Sequence, residues 1–134
     1  MPGSFFDTNV LLYVASGERG KADRAEQVLA EGGIISVQVL NELVHVARRK
    51  MRFSWTEINS FLALIRGLVT VRPLTVENHD AGLALAQRGG FSIYDAMIVA
   101  SALDADCETL WSEDLQHGMV IEKRLRIVNP FLGD

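Results

Sequence analysis

The feature that most restricts the fold of this chain is the segment FSIYDAMIVASALDADC, residues 91–107, because a helix through it would be apolar on nearly every face. From Ala96 to Leu103 only Ser101 is polar, so such a helix would have no stripe suited to contact with water. We therefore predict a helix that is buried all round, at the centre of a domain. One acidic residue, Asp95, stands at its start.

The length and composition of the chain indicate one globular domain. At 134 residues the chain has the size of an ordinary domain, and we expect residues 1–134 to form a single one. Its 49% hydrophobic and 22% charged residues are typical of soluble proteins, and no apolar run approaches the ~18 residues that would span a bilayer. We expect a cytoplasmic protein without a membrane segment. Cys107 is the only cysteine, which excludes an intramolecular disulfide and a cysteine-rich zinc site.

Short strand-like runs alternate with helical patterns along the chain. The strand-like runs are residues 4–6, 34–36, 69–72, 109–112 and 126–128, and the helical patterns are residues 10–15, 21–30, 37–50, 55–66, 76–88 and 95–105. Strands that alternate with helices favour a parallel sheet covered by helices. The predicted fold class is α/β, a three-layer α/β/α sandwich with a central, mostly parallel sheet.

Three aspartates are predicted to meet at one edge of this sheet. Asp7 directly follows the strand-like run SFF, and Asp114 comes two residues after the run TLWS. Asp95 begins the buried helix, whose first turn would face the same edge in a right-handed crossover. Ligands of such folds bind beyond the carboxyl ends of the strands. Alternatively, Ser92 caps the helix with Asp95 in the acidic position of a capping box, a role that is compatible with ligand binding.

A fourth acid, Glu42, lies within the helical pattern of residues 37–50. At 100° per residue, apolar side chains such as Leu43 fall on one face of this helix, and Glu42, His45 and Arg49 fall on the opposite face. Periodicity leaves two alternatives open, because the polar face borders either a cleft or bulk water.

The chemistry available to four neighbouring carboxylates points to a cation. Neighbouring carboxylates raise one another's pKa, so the four groups could not all stay ionised without a compensating cation. Either protonation or a metal ion must relieve the repulsion. Oxygen ligands without cysteine or an obligatory histidine suit Mg²⁺ or Mn²⁺, which could activate water for attack on a phosphodiester. G-x-G-x-x-G, Walker and G-x-S-x-G motifs are absent. A metal-free ribonuclease would need two of His45, His79 and His117 together, which their sequence context does not predict.

The charge of the chain is unevenly distributed. A net charge of −4, from 17 acidic and 13 basic residues, argues against non-specific coating of nucleic acid. Basic residues are concentrated in HVARRKMRF, where Arg48, Arg49 and Arg52 are candidates for steering RNA toward an acidic cleft. A solvated face is the alternative for such a run.

Four stretches of the chain, FFDTNVLLYVASG, VLNELVHVARRK, SIYDAMIVASAL and LWSEDLQHG, resemble in order and spacing the PIN-domain family, and within it the VapC-type toxins of bacterial toxin–antitoxin pairs. The resemblance runs from Phe5 to about Asn129 and implies a ribonuclease that uses Mg²⁺ or Mn²⁺. The catalytic and metal-binding residues that it implies are Asp7, Glu42, Asp95 and Asp114, with Thr8, Asn9 and Ser112 positioning substrate or water. The direction of Glu113, an additional acid between Ser112 and Asp114, stays open.

The resemblance also implies partners. Family members usually act as homodimers and are held inactive by an antitoxin, whose tail commonly places a basic residue over the acids. The function predicted is that of an endoribonuclease toxin, which hydrolyses RNA phosphodiester bonds with metal-activated water. Two alternatives remain, a PIN-like module that binds RNA or protein without cutting, and a metal-dependent DNase or phosphatase.

Overall fold

The computed structural model describes residues 3–132, which form six helices and six strands. In chain order these are β1 (Gly3–Phe6), α1 (Thr8–Val14), α2 (Arg19–Leu29), β2 (Ile34–Ser36), α3 (Val37–Arg49), α4 (Trp55–Leu68), β3 (Thr70–Arg72), α5 (Val76–Gln87), α6 (Ile93–Asp104), β4 (Cys107–Trp111), β5 (Val120–Ile121) and β6 (Leu125–Val128). The prediction of one domain over residues 1–134 includes two residues at each end that lie outside the described residues.

The six strands form one sheet in the order β3-β2-β1-β4-β6-β5. All neighbouring strands are parallel except β5 and β6, which are antiparallel. The strand order reverses between β1 and β4, because the chain runs outward from β1 to β2 and β3, then returns to β4 on the other side of β1. The carboxyl ends of β1 and β4 therefore frame the crevice where ligands bind in open α/β sheets.

The helices form two layers. Helix α1 contacts α2 and α3, helix α3 contacts α4, and α5 packs against α6. With right-handed crossovers, α1 to α4 cover one face of the sheet and α5 and α6 cover the other. The prediction of a three-layer α/β/α sandwich with a mostly parallel sheet is confirmed.

Helix α6 is buried as its sequence predicts, since every residue from Ala96 to Leu103 is inaccessible to solvent or nearly so. It begins at Ile93, two residues before the predicted start, because the side chain of Ser92 caps its first turn. The helix contacts α5 on one side and strands β2 and β4 on the other. Asp95 therefore lies in the first turn of a helix that tertiary packing holds in place on both sides.

Strand β5 was not predicted, because two residues are too few for an alternating pattern to be recognised. It continues the sheet beyond β6 and lies far along the sheet order from β1. Within residues 3–132, no helix is both long enough and apolar enough to cross a membrane.

Candidate active site

Asp7 lies at the carboxyl end of β1, in the crevice between β1 and β4. Its backbone N–H donates to the carbonyl of Trp111 on β4 at 2.9 Å, which continues the pairing of the two strands. Its side chain caps helix α1, because Oδ1 accepts a hydrogen bond from the Thr8 backbone N–H at 2.8 Å. Oδ2 accepts from Ser112 Oγ at 2.8 Å and from Asn9 Nδ2 at 3.1 Å. Three donors thus fix the direction of a carboxylate that is only 5% exposed.

The pKa of Asp7 is raised from its ordinary value of 3.8 to about 6, chiefly because burial disfavours the charged form. The hydrogen bonds from Ser112 and Thr8 lower the pKa, while the nearby charges of Glu42 and Asp95 raise it. Two carboxylates from distant parts of the sequence therefore repel that of Asp7 at this edge of the sheet, and a cation beside Asp7 would relieve the repulsion.

Glu42 lies on α3 and is half-buried, so the polar face of that helix borders the site at Glu42, whereas His45 and Arg49 further along the same face are exposed. Thr8 Oγ1 donates to Glu42 Oε1 at 2.6 Å, and Gln38 Nε2 donates to Oε2 at 3.0 Å. Gln38 also donates to the carbonyl of Tyr94, the residue before Asp95, at 3.0 Å. Gln38 was not predicted as a site residue, although its spacing of four from Glu42 places both on one helix face.

Asp95 combines half of a capping box with an available carboxylate. Its backbone N–H donates to Ser92 Oγ at 3.1 Å, which caps the helix as predicted. The reciprocal bond from the carboxylate is absent among the described residues, whereas both bonds of the capping box form between Ser54 and Glu57 on α4. The Asp95 carboxylate is therefore free to bind a ligand at the positive end of the helix dipole.

Asn9 connects the carboxylate of Asp114 to that of Asp7. Its Nδ2 donates to Asp114 Oδ2 at 3.2 Å as well as to Asp7, and its Oδ1 accepts from the Glu113 backbone N–H at 2.9 Å. Ser112 Oγ accepts from the backbone N–H groups of Asp114 and Leu115, each at 3.2 Å. Asp114 is exposed on an irregular segment after β4, so these bonds, rather than packing, determine where it lies.

Glu113 points away from the acidic cluster. Its Oε1 accepts from Tyr13 Oη at 2.6 Å, and its Oε2 forms an ion pair with Lys21 Nζ at 2.6 Å. Burial alone would raise the pKa of Glu113, but the hydrogen bonds from Lys21 and Tyr13 outweigh it and lower that pKa. Neither Lys21 nor Tyr13 was predicted as part of the site, and no local pattern in the sequence connects them to Glu113.

The candidate RNA-binding arginines lie at and beyond the end of α3. Arg48 is engaged within the protein, because its guanidinium stacks 4.4 Å from the centre of the Trp55 ring and Nη1 donates to the Phe53 carbonyl at 3.0 Å. All three arginines are exposed, and Arg52 has a left-handed backbone with φ 57°. Arg49 is two turns of helix beyond Glu42, on the same face.

The donor chemistry of the cluster fits a divalent cation. Asp7, Glu42 and Asp95 supply carboxylate oxygens, and a cation would offset the repulsion that Glu42 and Asp95 exert on Asp7. Such oxygen donors suit Mg²⁺ or Mn²⁺. Among residues 3–132, no three Asp, Glu, His or Cys side chains lie close enough to enclose an ion. An ion at this edge would therefore keep water or substrate ligands, as Mg²⁺ commonly does.

Comparison with known proteins agrees with this architecture. The family model described as "PIN domain" matches residues 4–119. Among solved structures, a toxin–antitoxin complex from Klebsiella pneumoniae is 25% identical with a TM-score of 0.71, covering 96% of this chain and 98% of that one. Mycobacterium tuberculosis VapC20, described as a sarcin–ricin loop cleaving toxin, is 17% identical with a TM-score of 0.69, covering 84% and 92%. FitAcB from Neisseria gonorrhoeae is 17% identical with a TM-score of 0.64, covering 96% and 98%. No curated protein matched.

The fold and the site place this chain in a class of α/β domains whose carboxylate side chains lie close together at the point where the strand order reverses. The family match covers most of the chain. The chain belongs to the PIN domain family.

Proposed function

We propose that this chain is a single-domain endoribonuclease that uses Mg²⁺ or Mn²⁺ and acts as the toxin of a toxin–antitoxin pair. The observation that carries the proposal is the convergence of Asp7, Glu42 and Asp95 at the crevice between β1 and β4, where burial, and to a lesser extent the charges of Glu42 and Asp95, raise the pKa of Asp7. The similar protein from Mycobacterium tuberculosis is described as a toxin that cleaves an RNA loop, which supports the choice of RNA as substrate.

A divalent ion bound at this edge would supply Lewis-acid activation of water and of the phosphodiester. Asp7, Asp95 and Asp114 would be its main ligands, directly or through water bound to the ion, because no three such side chains among residues 3–132 lie close enough to enclose it. Glu42 would bind a second ion or orient water. Thr8 and Gln38 hold the Glu42 carboxylate from two sides, so its direction is set before substrate arrives. Asn9 donates hydrogen bonds to the carboxylates of both Asp7 and Asp114, and Ser112 donates one to that of Asp7. These bonds fix the relative positions of the two carboxylates, and both residues would position substrate or water.

We expect cleavage to leave a 5′-phosphate and a 3′-hydroxyl. Water would attack phosphorus and the bond to the 3′ oxygen would break, without use of the 2′-hydroxyl of the RNA. Adapter ligation that requires a 5′-monophosphate should therefore capture the cut ends of RNA from expressing cells directly. A 2′,3′-cyclic phosphate, or purified protein that cuts equally well in excess EDTA, would overturn the metal-dependent mechanism.

The metal-free alternative gains no support from the positions of the histidines. His45 and His79 lie on helices at opposite faces of the sheet, and His117 Nδ1 already accepts the backbone N–H of Asn129 at 3.0 Å.

Arg49 and Arg52 are proposed to bind RNA phosphates. We expect Arg49→Ala to weaken RNA binding and make the slope of log K against log salt shallower by ~1, because one phosphate contact is lost. Arg48→Ala should leave that slope nearly unchanged and lower stability by about 0.5 to 1 kcal/mol through loss of the stacking on Trp55. Fluorescence titrations over a range of salt concentrations would measure the RNA affinity of both variants. Equal slopes for wild type and Arg49→Ala would show that Arg49 is a solvated surface residue that makes no phosphate contact.

We also propose a cognate antitoxin as partner, supported by the toxin–antitoxin complex that is 25% identical to this chain. A homodimer is proposed as well. It is supported by a groove of about 440 Å³ beside Glu42, whose lining includes the exposed apolar side chains Val37, Leu74 and Tyr94. An enzyme that cuts cellular RNA and is restrained by an antitoxin would act in the cytoplasm.

A further inference from the structure

We propose that Lys21, Tyr13 and Glu113 form a positioning cluster that fixes the segment Ser112–Leu115 and thereby sets the place of Asp114 for RNA cleavage. The proposal rests on the function proposed above. It assigns no contact with RNA or metal to Lys21 or Tyr13, which act through Glu113.

The three side chains of the positioning cluster contact one another in a closed triangle. Lys21 Nζ lies 2.6 Å from Glu113 Oε2, Tyr13 Oη lies 2.6 Å from Glu113 Oε1, and Lys21 Nζ donates to Tyr13 Oη at 3.0 Å. Both oxygens of the Glu113 carboxylate are therefore engaged, each by a different residue. Such a carboxylate cannot rotate without breaking a bond, so its direction is fixed.

Aromatic rings hold the lysine in place. Lys21 Nζ lies 4.6 Å from the centre of the Tyr13 ring and 5.4 Å from that of Phe131, and the two rings pack edge to face at 4.8 Å. An isolated surface ion pair contributes little, because both side chains lose conformational freedom when they pair. Here the rings already restrict Lys21, which favours a stable geometry over a fluctuating one.

Glu113 transmits this geometry to the acidic cluster through its backbone. Its N–H donates to Asn9 Oδ1 at 2.9 Å, and the same amide group of Asn9 donates to Asp7 and Asp114. The segment is thus held on one side by Ser112, bonded to Asp7, and on the other by the side chain of Glu113. Asp114 directly follows these two attached residues in the chain. Loss of the outer attachment, the one made by the Glu113 side chain, should let the Asp114 carboxylate move.

A small displacement of Asp114 has a large expected effect, because reactions at a preorganised site lose up to about 100-fold in rate when a group shifts by about 1 Å. We expect Lys21→Met to lower kcat about 10-fold and leave KM for RNA nearly unchanged, since the interaction lost is one that matters in the transition state. Lys21→Arg keeps the ion pair with Glu113 and should recover most of kcat.

The experiment compares Lys21→Met, Lys21→Arg and Tyr13→Phe for kcat, KM and melting temperature on a short RNA substrate. Lys123→Met is the matched control, because it also removes one lysine charge but lies in the turn before β6, near the opposite end of β4. A second measurement does not depend on RNA cleavage. Amide hydrogen exchange at Asp114 and Leu115 should be about 10-fold faster in Lys21→Met and Tyr13→Phe than in wild type or Lys123→Met, because both variants weaken the outer attachment.

A double-mutant cycle tests whether the residues act together. If Lys21 acts through Glu113, the double variant Lys21→Met, Glu113→Gln should lose about as much kcat as either single variant. A loss in the double variant equal to the sum of the two single losses, expressed as free energies, would overturn the proposal.

If Lys21→Met fails to fold, Tyr13→Phe decides instead. Amide exchange in Tyr13→Phe equal to that of the wild type would then overturn the proposal. A raised KM with a shallower salt slope would instead make Lys21 an RNA contact. Absence of cleavage by the wild type would count against the proposed function alone, since amide exchange still decides whether the cluster positions Asp114.

Discussion

Asp7→Asn should lower the rate of RNA cleavage about 1,000-fold, which corresponds to ~4 kcal/mol of lost transition-state stabilisation. Asp7 is the most buried of the four acids and the one on which hydrogen bonds from α1 and from the segment after β4 converge. Asparagine keeps the shape of the side chain and one acceptor oxygen, but it removes the charge that would bind a divalent ion.

The same substitution should change how the stability of the metal-free protein depends on pH. The pKa of Asp7 is about 6 in the folded protein, whereas its ordinary value is 3.8. At pH values between these two, the folded state keeps a proton on Asp7 that the unfolded state has lost. The contribution of Asp7 to stability is therefore fully present below about pH 4 and is lost as pH rises through about 6. By pH 7 the loss should approach roughly 3 kcal/mol, and Asp7→Asn should not show it.

Urea unfolding in EDTA between pH 4 and pH 7 would measure this difference, with pH-dependent effects of other groups cancelling between wild type and variant. Asp80→Asn is the control, because Asp80 is exposed on α5 and its substitution should leave both the pH dependence and cleavage unchanged. Parallel pH profiles for wild type and Asp7→Asn would show that the pKa of Asp7 is not raised in the folded protein, so that neither burial nor the neighbouring acids disfavour its charge.

The fold and the centre of the site could be predicted because their causes are local or periodic. Burial of α6 follows from a sequence without a polar face, and the place of Asp7 follows from an acid directly after an apolar strand. Such signals do not depend on distant residues. The placement of Glu42 beside Asp7 needed the resemblance, because periodicity identified only the face of α3 on which Glu42 lies.

Side-chain partnerships between distant residues could not be predicted. Lys21 and Glu113 are separated by 92 positions, and Lys21 stood in the sequence as one member of a small basic group. Arg48 was grouped with Arg49 for RNA binding, yet its ring partner Trp55 lies on the next helix. Composition and spacing describe what a side chain could do, whereas its partner is decided by packing.

Asp95→Asn should abolish most RNA cleavage while leaving the metal-free protein at least as stable as wild type. The substitution removes one of the charges that repel Asp7, and it leaves intact the backbone N–H that donates to Ser92. Mg²⁺ or Mn²⁺ at a hundredfold excess over Kd should stabilise the wild type by ~2.7 kcal/mol and the variant much less.

If Asp95 served only the helix, the pattern would be the reverse. Asp95→Asn would then lose a charge–dipole interaction of about 0.3 to 1 kcal/mol, keep its activity and respond to metal as the wild type does. Ser92→Ala provides the matched control, because it removes the hydroxyl that caps α6 and should cost ~1 kcal/mol without changing the shift caused by metal. Thermal melts of the three proteins in EDTA and in metal separate the two roles. A metal-induced shift that is equal in wild type and Asp95→Asn would remove Asp95 from the set of ligands, whereas a shift retained in Ser92→Ala and lost in Asp95→Asn would assign the carboxylate to the metal and the hydroxyl to the helix.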